Sequence, residues 1–186
     1  MGLALITPPV GEPVTLAEAK KHLRITHTDE DEHIHGLIMA ARQYAEEYTH
    51  RVLMPQTWDW TMDKLPAAFD VPLPPLRSIT SVKYIDTAGA EQTLASSVYA
   101  VDTASIRGRI VLAYGQVWPS TREQVGGVTV RIVAGYTIVP QPIKMAMLML
   151  IGHLYENRET TISGTIISNT PLATDTLLNP YRVISL

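Results

Sequence analysis

Residues 29–51, DEDEHIHGLIMAARQYAEEYTHR, and the stretch TWDWTMD at 57–63, just past Pro55, decide the fold between them. In the first, Ile34, Leu37, Ile38, Ala41, Tyr44, Ala45 and Tyr48 recur at offsets of three and four, one apolar stripe along a helix. Asp29, Glu30, Asp31 and Glu32 stand where the positive end of a helix dipole favours acids, so the helix is expected to open at Thr28 and run to about Arg51, before Pro55. In the second stretch the period drops to two. Trp58, Trp60 and Met62 share one face of a half-buried strand and Asp59 and Thr61 the other. A chain that changes period in this way is read as α+β.

Upstream, Thr15-Leu16-Ala17-Glu18 has the form of a capping box, opening a short helix through Leu23 that stops near Ile25. Downstream, short candidate strands at 81–85, 92–94, 99–101, 109–112 and 128–134 are separated by turn signals at Asp86–Gly89, Arg107-Gly108 and Gly126-Gly127. Pro-punctuated 71–76 is expected to be an edge or an extended linker. This spacing indicates an antiparallel region inserted between helices rather than a βαβ array. Pro140-Gln141-Pro142 then opens a helix over 143–157 that is apolar almost all round, which calls for burial on both sides: against the chain's own elements, or with one face on a neighbouring subunit, where Met145, Leu148 and Met149 offer adaptable contacts. Residues 160–186 are weakly patterned and read as an extended tail with a few anchors. The expected organisation is a helical part over 1–55, an inserted β region over 56–138, a helix over 139–159 packing with the N-terminal helices, and a partner-binding tail over 160–186.

Composition bounds the chemistry. The 186 residues are 46% hydrophobic and 18% charged, enough apolar material for a core. There is no Cys, which excludes disulfides, thiolate nucleophiles and Cys-bound metal centres. The first thirteen residues lack the pattern of a secretory signal, and the longest apolar run, 145–154, is about half of what a bilayer needs, so a soluble protein is expected. Net charge is −3 but uneven: residues 1–102 hold 8 basic and 14 acidic side chains, and 103–186 hold 7 and 4. No Lys/Arg cluster appears, which disfavours sequence-specific nucleic-acid binding.

The search for catalytic constellations gives little. His27, His33 and His35 lie among the acids at 29–32, but His33 and His35 are two apart and so point away from each other on a helix, whereas metal pairs use spacings of three or four. No G-x-S-x-G elbow and no phosphate-cradling glycine loop occurs, and Ser163-Gly164 falls in the weakly patterned tail. His153 on the apolar helix reads as a core histidine, and Glu156, Arg158 and Glu159 as a charged helix end. No enzyme, no cofactor and no metal is expected.

Three segments, in order, resemble a known group. Residues 15–24 (TLAEAKKHLR) lead into Asp29-Glu30-Asp31 and then 37–49 (LIMAARQYAEEYT); LYENRE follows at 154–159 and LNPYR at 178–182. The set resembles the phage head–tail connector (adaptor) proteins, including those of gene transfer agents, from both ends of the chain. The resemblance implies a structural subunit of a ring of about twelve copies in the particle neck, assembled in the bacterial cytoplasm. A portal protein would lie above it and a tail or stopper protein below, with DNA passing through unread. It further implies that the C-terminal segment reaches the portal; the aromatic–Arg pair in this weakly patterned tail makes Leu177, Leu178, Pro180, Tyr181 and Arg182 the expected docking residues, with Tyr181 and Arg182 as hot spots. Met145, Leu148 and Met149 are expected at a subunit interface, and Asp29, Glu30, Asp31 and Glu32 on the channel wall, repelling DNA. Two other readings stand beside it: a tail-completion or stopper protein, and a stand-alone binding module using the Trp58/Trp60 face. A metal-dependent hydrolase built on the His/Asp/Glu cluster comes last.

Overall fold

A computed structural model describes residues 2–158 and 171–184. The chain divides into two compact units, a strand unit of residues 1–10 and 54–137 and a helical unit of 11–53 and 138–186.

In the helical unit, α1 (Leu16–Leu23) is opened by the expected capping box: the Thr15 hydroxyl accepts from the Glu18 amide at 3.2 Å, and the Glu18 carboxylate accepts from the Thr15 amide at 2.8 Å. Glu18 also accepts from Lys144 Nζ at 2.8 Å, and this bond, with that of Thr15, lowers its pKa from 4.5 to about 2. α2 (Asp31–Thr49) buries Ile34, Ile38, Ala41 and Ala45, the expected stripe, and ends because His50 turns left-handed, at φ 52°. α3 (Gln141–Glu156) packs against α2 and α1. It buries Ile143, Ala146, Met147 and Ile151 along one side; Met145 on the other is 49% exposed. α4 (Pro171–Leu178) packs on α3 and α2, followed by a 3-10 turn over Asn179–Tyr181. The reading of 160–186 as an extended tail is thereby corrected for 171–181. Residues 160–170 of that tail, Ser163 among them, lie outside the described ones.

The strand unit has a five-stranded sheet in the order β1 (Gly2–Thr7), β2 (Gln56–Met62), β8 (Val128–Ala134), β4 (Leu76–Ile85), β5 (Glu91–Thr93), with every neighbour antiparallel. A second sheet runs β3 (Ala68–Asp70), β7 (Arg109–Leu112), β6 (Tyr99–Asp102). The alternation VTVRIVA makes β8 the central strand: Val128, Val130, Ile132 and Ala134 are fully buried, opposite Met62, Trp60, Trp58 and Gln56 of β2. Phe69 and Ile110 from the second sheet close the same core with Trp60, Met62, Val82 and Leu94. Each fully buried aliphatic side chain there stabilises the unit by about 1.5–3 kcal/mol.

Two expectations change. Residues 2–7 are an edge strand of the sheet and not part of the helical region, because GLALIT neither alternates nor buries a face: all six residues are exposed. Leu76, read with the proline run, begins the ten-residue β4. No helix of the described residues is long and apolar enough to cross a membrane.

Candidate partner-binding surface

Tyr44 and Tyr48 stand one turn apart on α2, so their rings share a face and stack with centroids 6.1 Å apart. The C-terminal segment lies across them. Tyr44 Oη donates to Asp175 Oδ1 and Tyr48 Oη to Asn179 Oδ1, each at 3.1 Å. Arg51 Nε donates to the Tyr181 carbonyl at 2.5 Å, and the Val183 amide to the Thr49 carbonyl at 2.9 Å. The Arg182 guanidinium sits 5.4 Å from the centre of the Tyr48 ring, within cation–π range. Burial and the Asp175 carboxylate raise the pKa of the Tyr44 hydroxyl, so it stays a donor. Beneath this polar rim, Leu178 and Val183 are the apolar anchors, 0% and 7% exposed.

This placement sorts the C-terminal residues. Leu178 is fully buried within its own unit and has no surface to offer a partner, which corrects its assignment as a docking residue. Leu177 and Tyr181 are half-buried, and Pro180 and Arg182 are exposed. Together with Tyr44 and Tyr48, the last three form an aromatic–arginine surface of the kind enriched at interface hot spots. Tyr44 and Tyr48 read as core from the sequence because periodicity identifies a face and not what covers it; the signal was an aromatic pair in an otherwise aliphatic stripe.

Met145, half exposed, and Leu148 and Met149, half-buried, form the other apolar surface of this unit, along the outer side of α3. The acidic cluster is not a continuous surface. α2 begins at Asp31, so Asp29 and Glu30 precede the helix instead of filling its first turn. Glu30 accepts from Arg158 and Tyr155, which hold its pKa below the usual value, and Asp31 accepts from Lys20 Nζ at 2.6 Å. Asp29, with His27 Nδ1 at 3.7 Å, and Glu32 are the exposed members. Among the described residues no three His, Asp or Glu side chains gather closely enough to hold a metal ion.

In the strand unit Trp60 is 5% exposed, edge-on to Phe69 at 5.5 Å, and Trp58 is half-buried against the same core. The Trp58/Trp60 face is therefore the inside of the unit, and a binding module using it is excluded by that packing. The opposite face of the sheet is polar and internally paired: Arg131 makes two 2.7 Å bonds to Asp59, and Lys83 one of 2.8 Å to Glu91.

Residues 13–106 match the model of the phage gp6-like head-tail connector protein family. No curated protein matches the chain. Among solved structures, a protein in the virion of a native gene transfer agent (GTA) particle is 22% identical over 100% of this chain and 97% of its own, with a TM-score of 0.79. A protein in the neck of an empty GTA particle, computed with C6 symmetry, is 23% identical with a TM-score of 0.76 and the same coverage. One in the neck of a native GTA particle, computed with C12 symmetry, is 22% identical with a TM-score of 0.76. The fold is thus shared over the full length, both units included. With half of its residues matched by the family model, the chain belongs to the phage gp6-like head-tail connector family.

Proposed function

We propose that this chain is a structural subunit of a closed ring, about twelve copies, in the neck of a phage or phage-like particle, between the portal and the tail, through which DNA passes. The observation that carries this reading is full-length likeness to proteins of GTA necks computed with C6 and C12 symmetry, together with the family match. A ring of identical copies needs two different faces per subunit and a third for the portal.

The outer side of α3 serves as one of the ring faces. Its methionines are unbranched and polarizable, suited to packing against a neighbour's surface. Met145→Glu places a charge in that seam without disturbing the buried side of the helix. It is expected to weaken ring assembly at least tenfold in sedimentation velocity, while the monomer keeps its melting temperature. An unchanged assembly curve would remove α3 from the seam.

The surface of Tyr48, Pro180, Tyr181 and Arg182 serves the portal. The Tyr181→Ala/Arg182→Ala double variant removes an aromatic anchor and the cation stacked on Tyr48. A hot-spot loss of about 2 kcal/mol corresponds to roughly 30-fold weaker portal binding. Affinity equal to that of the wild type would place the portal contact elsewhere on the chain.

A further inference from the structure

Among the described residues the five-stranded sheet has two open edges, and their direction suits a second copy of this chain. The hydrogen-bonding side of each residue follows from the ladder. Leu94 N donates to Val82 O, and Ile85 N to Gly127 O, so Val82 and Tyr84 turn their peptide groups toward β5 and Lys83 and Ile85 theirs toward β8. Carried across the register, Val128, Val130 and Ile132 face β2, Asp59 and Thr61 face β1, and Gly2 and Ala4 of β1 face back to β2. The peptide groups of Leu3 and Leu5 are the ones left on the outer edge. On β5 the same rule leaves Glu91 and Thr93.

Edge strands are ordinarily guarded by charges or prolines. β1 has neither within Gly2–Thr7; its bulge comes only after Leu5. Leu3 and Leu5 are 44% and 45% exposed on the side of the sheet that carries Trp60 and Trp58. At the opposite edge that same apolar layer ends at buried Leu94. Because five strands alternate in direction, β1 and β5 run the same way. A cyclic ring joins one patch to a different patch with every copy turned alike about the axis, so two like-directed open edges on opposite flanks meet its requirement. A twofold β1–β1 contact would instead be antiparallel and stop at a dimer.

We infer that, in the ring, β1 of one copy adds in parallel to β5 of the next, extending the sheet across the seam, with Leu3 and Leu5 continuing the layer that ends at Leu94. This rests on the ring reading above. β5 has three residues, so this seam supplies a few hydrogen bonds and works beside the α3 contact.

The chain has no native cysteine, so introduced thiols report alone. Gln92 is exposed on the same side of the sheet as Leu3 and Leu5. Full-length Leu3→Cys/Gln92→Cys and Leu5→Cys/Gln92→Cys variants, alone and bound to portal, are treated with a short bismaleimide and run under denaturing conditions. The expected result is a covalent ladder from at least one double variant and none from any single-cysteine variant. Adding Leu5→Pro, which removes an outward donor and leaves the β2 bonds intact, should abolish the ladder of the Leu3→Cys/Gln92→Cys variant. A ring in native mass with no ladder from either double variant overturns the β seam and leaves the ring standing. Dimers from Leu3→Cys or Leu5→Cys alone overturn it in favour of the twofold contact. No ring in any condition overturns the ring and the seam together.

Discussion

Replacing Arg42 by alanine is expected to destabilise the helical unit by about 3–5 kcal/mol, the cost of breaking a buried ion pair by removing one partner. The Arg42 side chain is 10% exposed. Its Nε donates to Glu12 at 2.7 Å, and its Nη1 to Glu46 at 2.8 Å; those carboxylates are 16% and 18% exposed. Glu46 also accepts from the Leu53 amide at 2.9 Å. One guanidinium thus holds α2 to Glu12 and, through Glu46, to Leu53, close to the two ends of segment 11–53 where the chain passes to and from the strand unit. Without Arg42, the Glu12 and Glu46 carboxylates lose the cation they share, in a place that water barely reaches.

The pH dependence has a definite sign. Burial raises the Glu46 pKa above 4.5 even with Leu53 and Arg42 in place, and loss of Arg42 raises it further. A carboxyl whose folded pKa lies above its unfolded one contributes stability that is fully present below the unfolded value and lost as pH rises through the folded one. The Arg42→Ala deficit should therefore widen as pH rises above 4.5 and shrink below it. Urea unfolding followed by far-UV circular dichroism, which reads the helices, measures it. A loss below about 1 kcal/mol, the range of exposed pairs, or one independent of pH would show that the triad is not desolvated.

Gly135→Ala is expected to cost the strand unit about 3 kcal/mol or more, from a left-handed backbone and overpacking acting together. Gly135 ends β8 at φ +118°, and a Cβ there would fall on the Met54 carbonyl oxygen, 2.5 Å from its carbon and 2.8 Å from Pro55 N. The obstacle is backbone, so it cannot swing aside. Its amide also donates to Pro75 O at 2.9 Å, which ties the position into the sheet. Gly115, at φ +74° with nothing within 4 Å of its would-be Cβ, isolates the backbone part: Gly115→Ala should cost about 1–2 kcal/mol. All three tryptophans, Trp58, Trp60 and Trp118, lie in the strand unit, so fluorescence-detected unfolding compares the two variants in that unit. Equal losses would mean that Met54 and Pro55 move to make room.

Much of the fold was open to reading because it rests on local periodicity. α2 shows its buried face at offsets of three and four, β2 and β8 alternate, and the α1 cap is written in four consecutive residues. What escaped depends on distant partners. GLALIT has no alternation to betray β1, because the strand buries neither face and is held by backbone bonds to β2. The Leu177-Leu178-Asn179-Pro180 run read as a tail because the residues around it are weakly patterned. It is in fact the end of a helix whose Leu178 finds its pocket in the unit it belongs to. Glu12 and Arg42 are 30 residues apart, and nothing local pairs them. The aromatic–arginine character of Tyr181 and Arg182 was visible at once, whereas Tyr44 and Tyr48 needed the structure to show that their rings reach the surface. The acidic cluster misled in the other direction: four adjacent charges look like a surface until Arg158, Tyr155 and Lys20 are seen to take up two of them.

The ring is tested by the native mass of the purified full-length protein, alone and mixed with its portal. One closed oligomer of about twelve copies is expected, formed either in isolation or on the portal. A monomer in both conditions, under which the portal itself is a ring, would contradict it.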